Sequence, residues 1–243
     1  MNANSNTHTI KDWLWLHDLN ATRVNAVLDS ISCDTLNPST QALSVTFPDQ
    51  ELMWDTVAKA LSHLIPELGS YIEKARCSTK REFNATEARA YTYYEHATDA
   101  AFVSMSYRGT PNDALCMAHE FGHAVQIACV SDSFVLPIQR EIAAFLSEFA
   151  LLTWTRKENT QLHQSLMDAF IFDNVLYYDF DVRALQASLT LDHTKYDYRW
   201  NYPVARFFAE QMYMSGSQND IVDAINGHLD LPHCVQRYVY KED

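Results

Sequence analysis

The sequence lacks the features of membrane-spanning and secreted proteins. No stretch approaches the roughly 18 consecutive apolar residues of a transmembrane helix, and the N-terminus has no basic start followed by an apolar core. Basic residues are also scarce, since 18 lysines and arginines stand against 31 acidic residues and leave a formal net charge of −13. We therefore expect a cytoplasmic protein that binds neither nucleic acid nor an anionic membrane, because both need clustered Lys and Arg.

Glycine is scarce too, and the cysteines form no CxxC pair. The chain has only 5 glycines in 243 residues and a hydrophobic content of 47%, which favours a helix-rich fold with a real core. An odd, scattered set of cysteines is typical of a reducing compartment. They are Cys33, Cys77, Cys116, Cys129 and Cys234.

The most informative stretch is HEFGH, from His119 to His123, inside the apolar run of residues 114–130. Side chains four apart lie on one face of an α-helix, so both imidazoles can face a single ion. Two neutral nitrogen ligands suit zinc, and Glu120 between them suits the general base of a hydrolase. The alternative is a helix with two buried histidines that pair with nearby acids.

A catalytic zinc site needs a third protein ligand, and residues 138–149 supply the candidates. Glu141, Phe145 and Glu148 share one face of a predicted second helix that folds back on the first. We assign Glu141 to the zinc ion and Glu148 to the other ring nitrogen of a ligand histidine. Two alternatives stay open: Glu148 and Glu141 exchange these roles, or both are exposed acids on a solvated helix.

Residues 101–126, AFVSMSYRGTPNDALCMAHEFGHAVQ, resemble the active-site core of the thimet oligopeptidase and oligoendopeptidase F family. The segment with Glu141 and a second glutamate seven residues later resembles the third-ligand helix of that family. The resemblance implies a mainly helical, zincin-like catalytic domain of the gluzincin type, which uses zinc to cut short peptides inside a deep channel. Members of the family are usually much longer than this chain.

An aromatic segment over residues 192–203 resembles the Tyr-rich segment that follows a histidine in the same family. There, tyrosines and a histidine hydrogen-bond the substrate carbonyl as it becomes an oxyanion, which gains from a second donor besides the metal. The resemblance makes Tyr198 and Tyr202 the preferred catalytic candidates, with His193 as a third. The Tyr-Gly-Tyr spacing of the family is not reproduced here, so aromatic residues that only pack before a helix remain the alternative.

Two strands are predicted before the HEFGH helix, over residues 90–94 and 101–107. We expect residues 101–106 to lie above the metal as a strand edge that holds an extended peptide substrate by its backbone. The alternative is a hairpin that only covers the core.

Two helices are predicted in the N-terminal part. Asn20 is predicted to cap a helix over residues 21–32, and Pro48 to open a helix that runs to about residue 76 with a break at Pro66.

Together these features predict a mainly α fold with a small β-hairpin beside a cleft, in one domain over residues 1–243. An N-terminal helical part, residues 1–85, precedes a zinc-binding core, residues 86–243. The predicted function is a zinc metallopeptidase with a peptide as its partner. Two other functions remain open, a catalytically silent zinc protein that binds peptides and a zinc hydrolase of a non-peptide amide. The sequence does not indicate an oligomeric state.

Overall fold

Helices dominate the fold, which a computed structural model describes over residues 8–31, 47–86, 89–191 and 193–241. Within these ranges the chain forms eleven α-helices and three short β-strands. The helices are α1 Ile10–Leu16, α2 Ala21–Asp29, α3 Gln50–Leu64, α4 Gly69–Ser78, α5 Pro111–Val130, α6 Pro137–Glu158, α7 Thr160–Val175, α8 Val182–Leu189, α9 Asn201–Ser215, α10 Gln218–Ile225 and α11 Leu231–Val235. The strands are β1 Lys80–Glu82, β2 Tyr91–Glu95 and β3 Ala100–Ser104.

Shorter helical turns complete the architecture. Pro66–Leu68 and Tyr198–Trp200 are 3-10 turns, and Leu176–Asp181 and Gln236–Tyr240 are π-helical. The mainly helical fold class with a small sheet is confirmed. No helix among the described residues is long and apolar enough to cross a membrane.

Several predicted helix boundaries are confirmed by capping contacts. The Asn20 side chain accepts a hydrogen bond from the backbone N–H of Arg23 at the start of α2, as predicted. Of two candidate caps for α5, Thr110 and Asn112, it is Thr110 whose side chain accepts from the backbone N–H of Asp113. The predicted helix from Pro48 is divided at Pro66, because proline cannot continue the hydrogen bonding of α3. Helix α2 ends at Asp29, while the predicted end at Ser32 lies outside the described residues, as does Cys33.

Helix α6 forms the centre of the core, packed against α3, α5, α7, α9 and α10. It is buried along most of its length, which explains why its sequence shows apolar residues almost all round rather than on one stripe. Its closest neighbour is α5. A Cβ atom built on Gly122 would lie 2.6 Å from the carbonyl oxygen of Ala143, so only glycine permits this separation of the two helices.

The sheet differs from the predicted hairpin in one respect that matters for the site. Strand β3 is central: it pairs antiparallel with β2, as predicted, and parallel with β1 on its other side. The prediction that residues 101–106 form a free edge is therefore wrong over the length of β3. The missed strand, β1, has the sequence Lys-Arg-Glu, which carries no apolar alternation that would predict a strand. The edge strand that packs on α5 is β2.

Candidate metal centre

Helices α5 and α6 bring together three predicted ligand residues. Donor atoms of His119, His123 and Glu141 all lie within 4.8 Å of one another. The two histidines share a face of α5 because they are four residues apart, and Glu141 faces them from the first turns of α6. The contact at Gly122 holds the helices close enough for this convergence.

The separations within this group fit a tetrahedral metal site. Nε2 of His119 lies 3.2 Å from Oε2 of Glu141, and Nε2 of His123 lies 3.9 Å from Oε1 of the same carboxylate. Two ligands bound about 2.0–2.1 Å from a tetrahedral zinc ion are about 3.3 Å apart, so small side-chain adjustments suffice. Oε2 of Glu141 is buried, and apart from this approach of His119 it has no polar partner among the described residues. Two imidazoles and one carboxylate are a donor set that suits zinc.

Glu148 lies on the far side of His119 rather than in this group. Its Oε1 is 2.8 Å from Nδ1 of His119, which leaves Nε2 of the same ring facing Glu141. The geometry thus favours Glu141 as the ligand and Glu148 as the residue that orients the imidazole.

Arg206 of α9 holds the second oxygen of Glu148. Its guanidinium lies 3.2 Å from Oε2 of that residue and donates to Asn174 at 2.7 Å. It also lies 4.0 Å from the ring centre of Phe170. The Arg206 side chain is only 1% exposed. Glu148 therefore links His119 to Arg206 in a buried hydrogen-bond network.

Burial and charge shift the pKa values of the three candidate ligands. Burial lowers the pKa of His119, but hydrogen bonds and charges from Glu141 and Glu148 outweigh it and raise the pKa well above its ordinary value. Burial lowers the pKa of His123 to about 3, which favours the neutral imidazole that a metal ligand requires. Burial raises the pKa of Glu141, yet the two histidines and Tyr198 together hold it below its ordinary value.

Glu120 is buried beside the group and is fixed by the sheet. The hydroxyl of Thr92, on β2, donates to Oε2 of Glu120 at 2.6 Å. Burial raises the pKa of Glu120, while the charge of His119 and the Thr92 hydrogen bond oppose that rise. A carboxylate with a raised pKa accepts a proton more readily, as a general base near neutral pH must.

The predicted oxyanion residues differ in position. The Tyr198 hydroxyl donates to Oε1 of Glu141 at 2.6 Å. Tyr202 packs against the rings of Tyr177 and Tyr198, and its hydroxyl has no hydrogen-bond partner within the part of the chain that the structure describes. His193 is exposed in the turn after α8, and no described contact joins it to the other site residues. The structure thus brings both tyrosines to the site and leaves His193 outside it.

Sequence reasoning missed several residues of the site, notably Thr92, Asn174 and Arg206. Each reaches the centre from an element that is distant in sequence, and no local spacing indicates such contacts. The buried Arg206 had one weak signal, its position within the apolar run of α9, where a charge needs a buried partner.

Two cavities flank the candidate metal centre. The larger, of about 780 Å³, includes His119, Glu120 and Tyr202 in its lining. The smaller, of about 330 Å³, includes Arg140 and Tyr198. Strand β2 borders both, since Tyr91 lines the first and Tyr93 and Tyr94 line the second. The cleft along β2 thus consists of a larger cavity that reaches His119 and a smaller one that reaches Tyr198, whose hydroxyl bonds Glu141.

Comparisons with solved structures identify mainly helical folds that are similar to this one. The fold is similar to the crystal structure of a proposed peptidase from Chlamydophila abortus, with a TM-score of 0.52 and 16% identity over 93% of this chain. It is also similar to a proposed oligoendopeptidase F from Bacillus anthracis str. Ames, with a TM-score of 0.51 and 14% identity over 97% of the chain. No protein-family model and no curated protein matches the sequence.

The chain therefore has an oligoendopeptidase F-like fold, as the sequence resemblance predicted. It spans about half the length of each solved structure, since 50% of either chain is covered.

Proposed function

We propose that the protein is a zinc-dependent peptidase in which His119, His123 and Glu141 hold the metal. One observation carries the proposal: three suitable ligand atoms converge within 4.8 Å on helices that also place a buried glutamate beside them. The peptidase neighbours support hydrolysis of a peptide bond. When bound there, zinc supplies Lewis-acid activation of water and of the substrate carbonyl.

The chain's own residues carry the proton transfers. Glu120 accepts the proton of the attacking water and delivers it to the leaving amine, and the Thr92 hydrogen bond keeps its carboxylate in place. Tyr202 has an uncommitted hydroxyl in the cleft and is our first candidate for donation to the oxyanion. Tyr198 joins it once its hydrogen bond to Glu141 is released. Glu148 holds His119 in the orientation that presents Nε2.

The substrate in this proposal is an extended peptide that lies along β2. Pairing to the outer side of β2 is absent within the described residues, and the strand borders both cavities. Backbone hydrogen bonds to such an edge bind a peptide without requiring a particular sequence. This placement replaces the predicted one on residues 101–106, whose strand is enclosed on both sides.

The proposal predicts that Glu120→Gln retains zinc but loses hydrolysis. The amide cannot accept the proton, so we expect kcat to fall by about a hundred- to ten-thousandfold, the usual contribution of a general base. The measurement is metal content by elemental analysis together with cleavage of a mixed peptide pool, followed by mass spectrometry. Chelator should abolish activity of the native protein, and added zinc should restore it.

Glu51→Gln provides a matched control, because Glu51 is an exposed acid of α3 that pairs with Arg81 outside the site. Its turnover should equal that of the native protein. Undiminished cleavage by Glu120→Gln would contradict the proposal. A zinc-loaded native protein that leaves every peptide intact would favour a silent peptide-binding protein, and cleavage of only non-peptide amides would favour the other hydrolase class.

A further inference from the structure

Arg140 is a charged residue of the cleft that the proposed reaction does not use. It precedes Glu141 on α6 and is half-buried in the wall of the smaller cavity, together with Tyr198. The Tyr198 hydroxyl is itself bonded to Glu141. Arg140 therefore stands beside the candidate metal centre, on the side away from the larger cavity.

The guanidinium of Arg140 pairs with no carboxylate of the segments that the structure describes. Among the described residues, none lies within the 4.0 Å of an ion pair, whereas Arg206, Arg199 and Arg183 are each paired. An arginine that is partly removed from water and unpaired is uncommon, because its charge loses hydration without compensation.

Two other polar side chains of this cavity already have hydrogen-bond partners. Gln126 donates to the backbone carbonyl of Ala224 at 3.2 Å, and Tyr94 donates to Asp99 at 2.6 Å. Asp132 is the acid of the cavity wall, but it is exposed and lies 3.8 Å from Nε2 of His96. Arg140 is thus the cation of this cavity, and its side-chain N–H groups have no hydrogen-bond partner in the described parts of the chain.

We propose that Arg140 binds a carboxylate of the peptide substrate, either the C-terminal carboxylate or an Asp or Glu side chain, close to the scissile bond. This inference rests on the proposed function and names its substrate class. A guanidinium presents parallel N–H donors that match the two oxygens of a carboxylate. An arginine side chain spans about two residues of extended peptide, at about 3.3 Å per residue, so the carboxylate belongs one or two residues from the bond that is cut.

The test uses the zinc-loaded Glu120→Gln protein, which binds peptides without consuming them. Three versions of one fluorescent peptide are titrated: a free C-terminal acid, its C-terminal amide, and the amide with an internal Glu in place of Gln. A charge-assisted pair contributes roughly a ten- to hundredfold difference in Kd. We expect the free acid or the Glu peptide to bind more tightly than the plain amide by that factor. Tighter binding of the free acid identifies the C-terminal carboxylate as the ligand of Arg140, and tighter binding of the Glu peptide identifies a side-chain carboxylate.

Adding Arg140→Gln to this protein should remove the preference, and Arg140→Lys should restore it in part, since lysine keeps the charge but not the fork geometry. Arg237→Gln is the matched control: it removes the same charge from an exposed ion pair with Asp220 and should leave the preference unchanged. Zinc content and circular dichroism verify that each variant is folded, and Arg140→Lys retains the test if Arg140→Gln does not fold.

Equal binding of all three peptides would overturn the inference, as would a preference that survives in Arg140→Gln. Cleavage assays on the native protein, read together with the binding data on the Arg140 variants, separate the two proposals. Cleavage by the native enzyme with no preference for a carboxylate leaves the peptidase function standing and rejects the role of Arg140. An Arg140-dependent preference in binding, without cleavage of any peptide by the native protein, supports the role of Arg140 and rejects the peptidase function.

Discussion

Charges at the centre of the molecule balance only in part. Glu120, Glu141 and Glu148 are 6%, 2% and 4% exposed, and burial of an uncompensated carboxylate costs several kcal/mol. Arg206 compensates Glu148 directly. The other two carboxylates face imidazoles, of which His123 favours the neutral form. The excess of negative charge is the environment in which a divalent cation contributes most.

Arg206 is the buried counter-ion whose loss should be most harmful. We expect Arg206→Met to lower the free energy of unfolding by about 3–5 kcal/mol, because the Oε2 atom of the buried Glu148 would lose its positively charged partner. Urea denaturation measures the difference. The control is Arg183→Met, which removes an ion pair with Asp179 between side chains that are 63% and 45% exposed. Its free energy of unfolding should fall by less than about 1 kcal/mol. Similar losses in both variants would mean that Glu148 is not held by Arg206.

The residues that the sequence could predict are those joined by helical spacing. His119 and His123 are four apart, and the seven-residue step from Glu141 to Glu148 keeps both acids on one face of α6. Thr92 and Arg206 could not be predicted, since their contacts to Glu120 and Glu148 connect positions 28 and 58 residues apart. No local periodicity encodes such contacts, and they depend on how the elements pack.

At the scale of elements, the separation of α5 and α6 determines whether the three candidate ligands meet. Gly122 is one residue before His123, and there the backbone of α6 leaves no space for a Cβ atom on α5. A side chain at this position would push α6 away from α5 and carry Glu141 with it. The sequence HEFGH thus contributes both the imidazoles and the small residue that allows the third ligand to approach.

We predict that Gly122→Ala destabilises the fold and weakens zinc binding together. The new Cβ would meet backbone atoms at 2.6 Å and 2.7 Å, and overpacking of this kind costs about 1–3 kcal/mol. Thermal unfolding and a zinc competition titration measure the two effects.

Gly69→Ala is the matched control, because a Cβ on Gly69, in the first turn of α4, would meet nothing within 4 Å. That variant should be neutral or slightly stabilised, since alanine favours a helix over glycine. An unchanged zinc affinity in Gly122→Ala would show that the helix separation does not control the site.

The sheet shows the limit of sequence prediction for elements. The β-type residues of β3 and its neighbouring segment predicted the antiparallel pair. Strand β1 has only three residues, all charged, and the chain reaches its parallel partner β3 only after it has formed β2. A strand of this kind is specified by tertiary packing rather than by its own pattern. Its omission is the reason why the sequence assigned the wrong strand as the edge.

At the scale of the whole molecule, the N-terminal helix is built into the candidate site. Trp13 of α1 donates from its indole nitrogen to the side chain of Asn201 at 2.8 Å, and Asn201 donates to the backbone carbonyl of Tyr198 at 2.7 Å. The first described helix therefore fixes the turn that carries a catalytic candidate. This coupling across the chain was not foreseeable from the aromatic density around Trp13, which indicated burial but no partner.

His17, at the end of α1, makes the stability of this arrangement depend on pH. It is 1% exposed and packs against Trp13. Burial lowers its pKa to about 4, while an unfolded histidine titrates near pH 6.5. Between these values the unfolded chain binds more protons, so the contribution of His17 is complete above about pH 6.5 and is lost as the pH falls towards 4.

From pH 7 to pH 4, we therefore expect the free energy of unfolding of the native protein to fall by roughly 3 kcal/mol more than that of His17→Leu, a variant that cannot take up this proton. Urea denaturation at both pH values gives the two slopes, and their difference cancels the contribution of carboxylates and histidines that the proteins share. His228→Leu, at an exposed position, should keep the native dependence. A difference of the opposite sign would mean that His17 is charged in the folded protein, and that α1 is held to α9 by an ionic contact rather than by a neutral, buried ring.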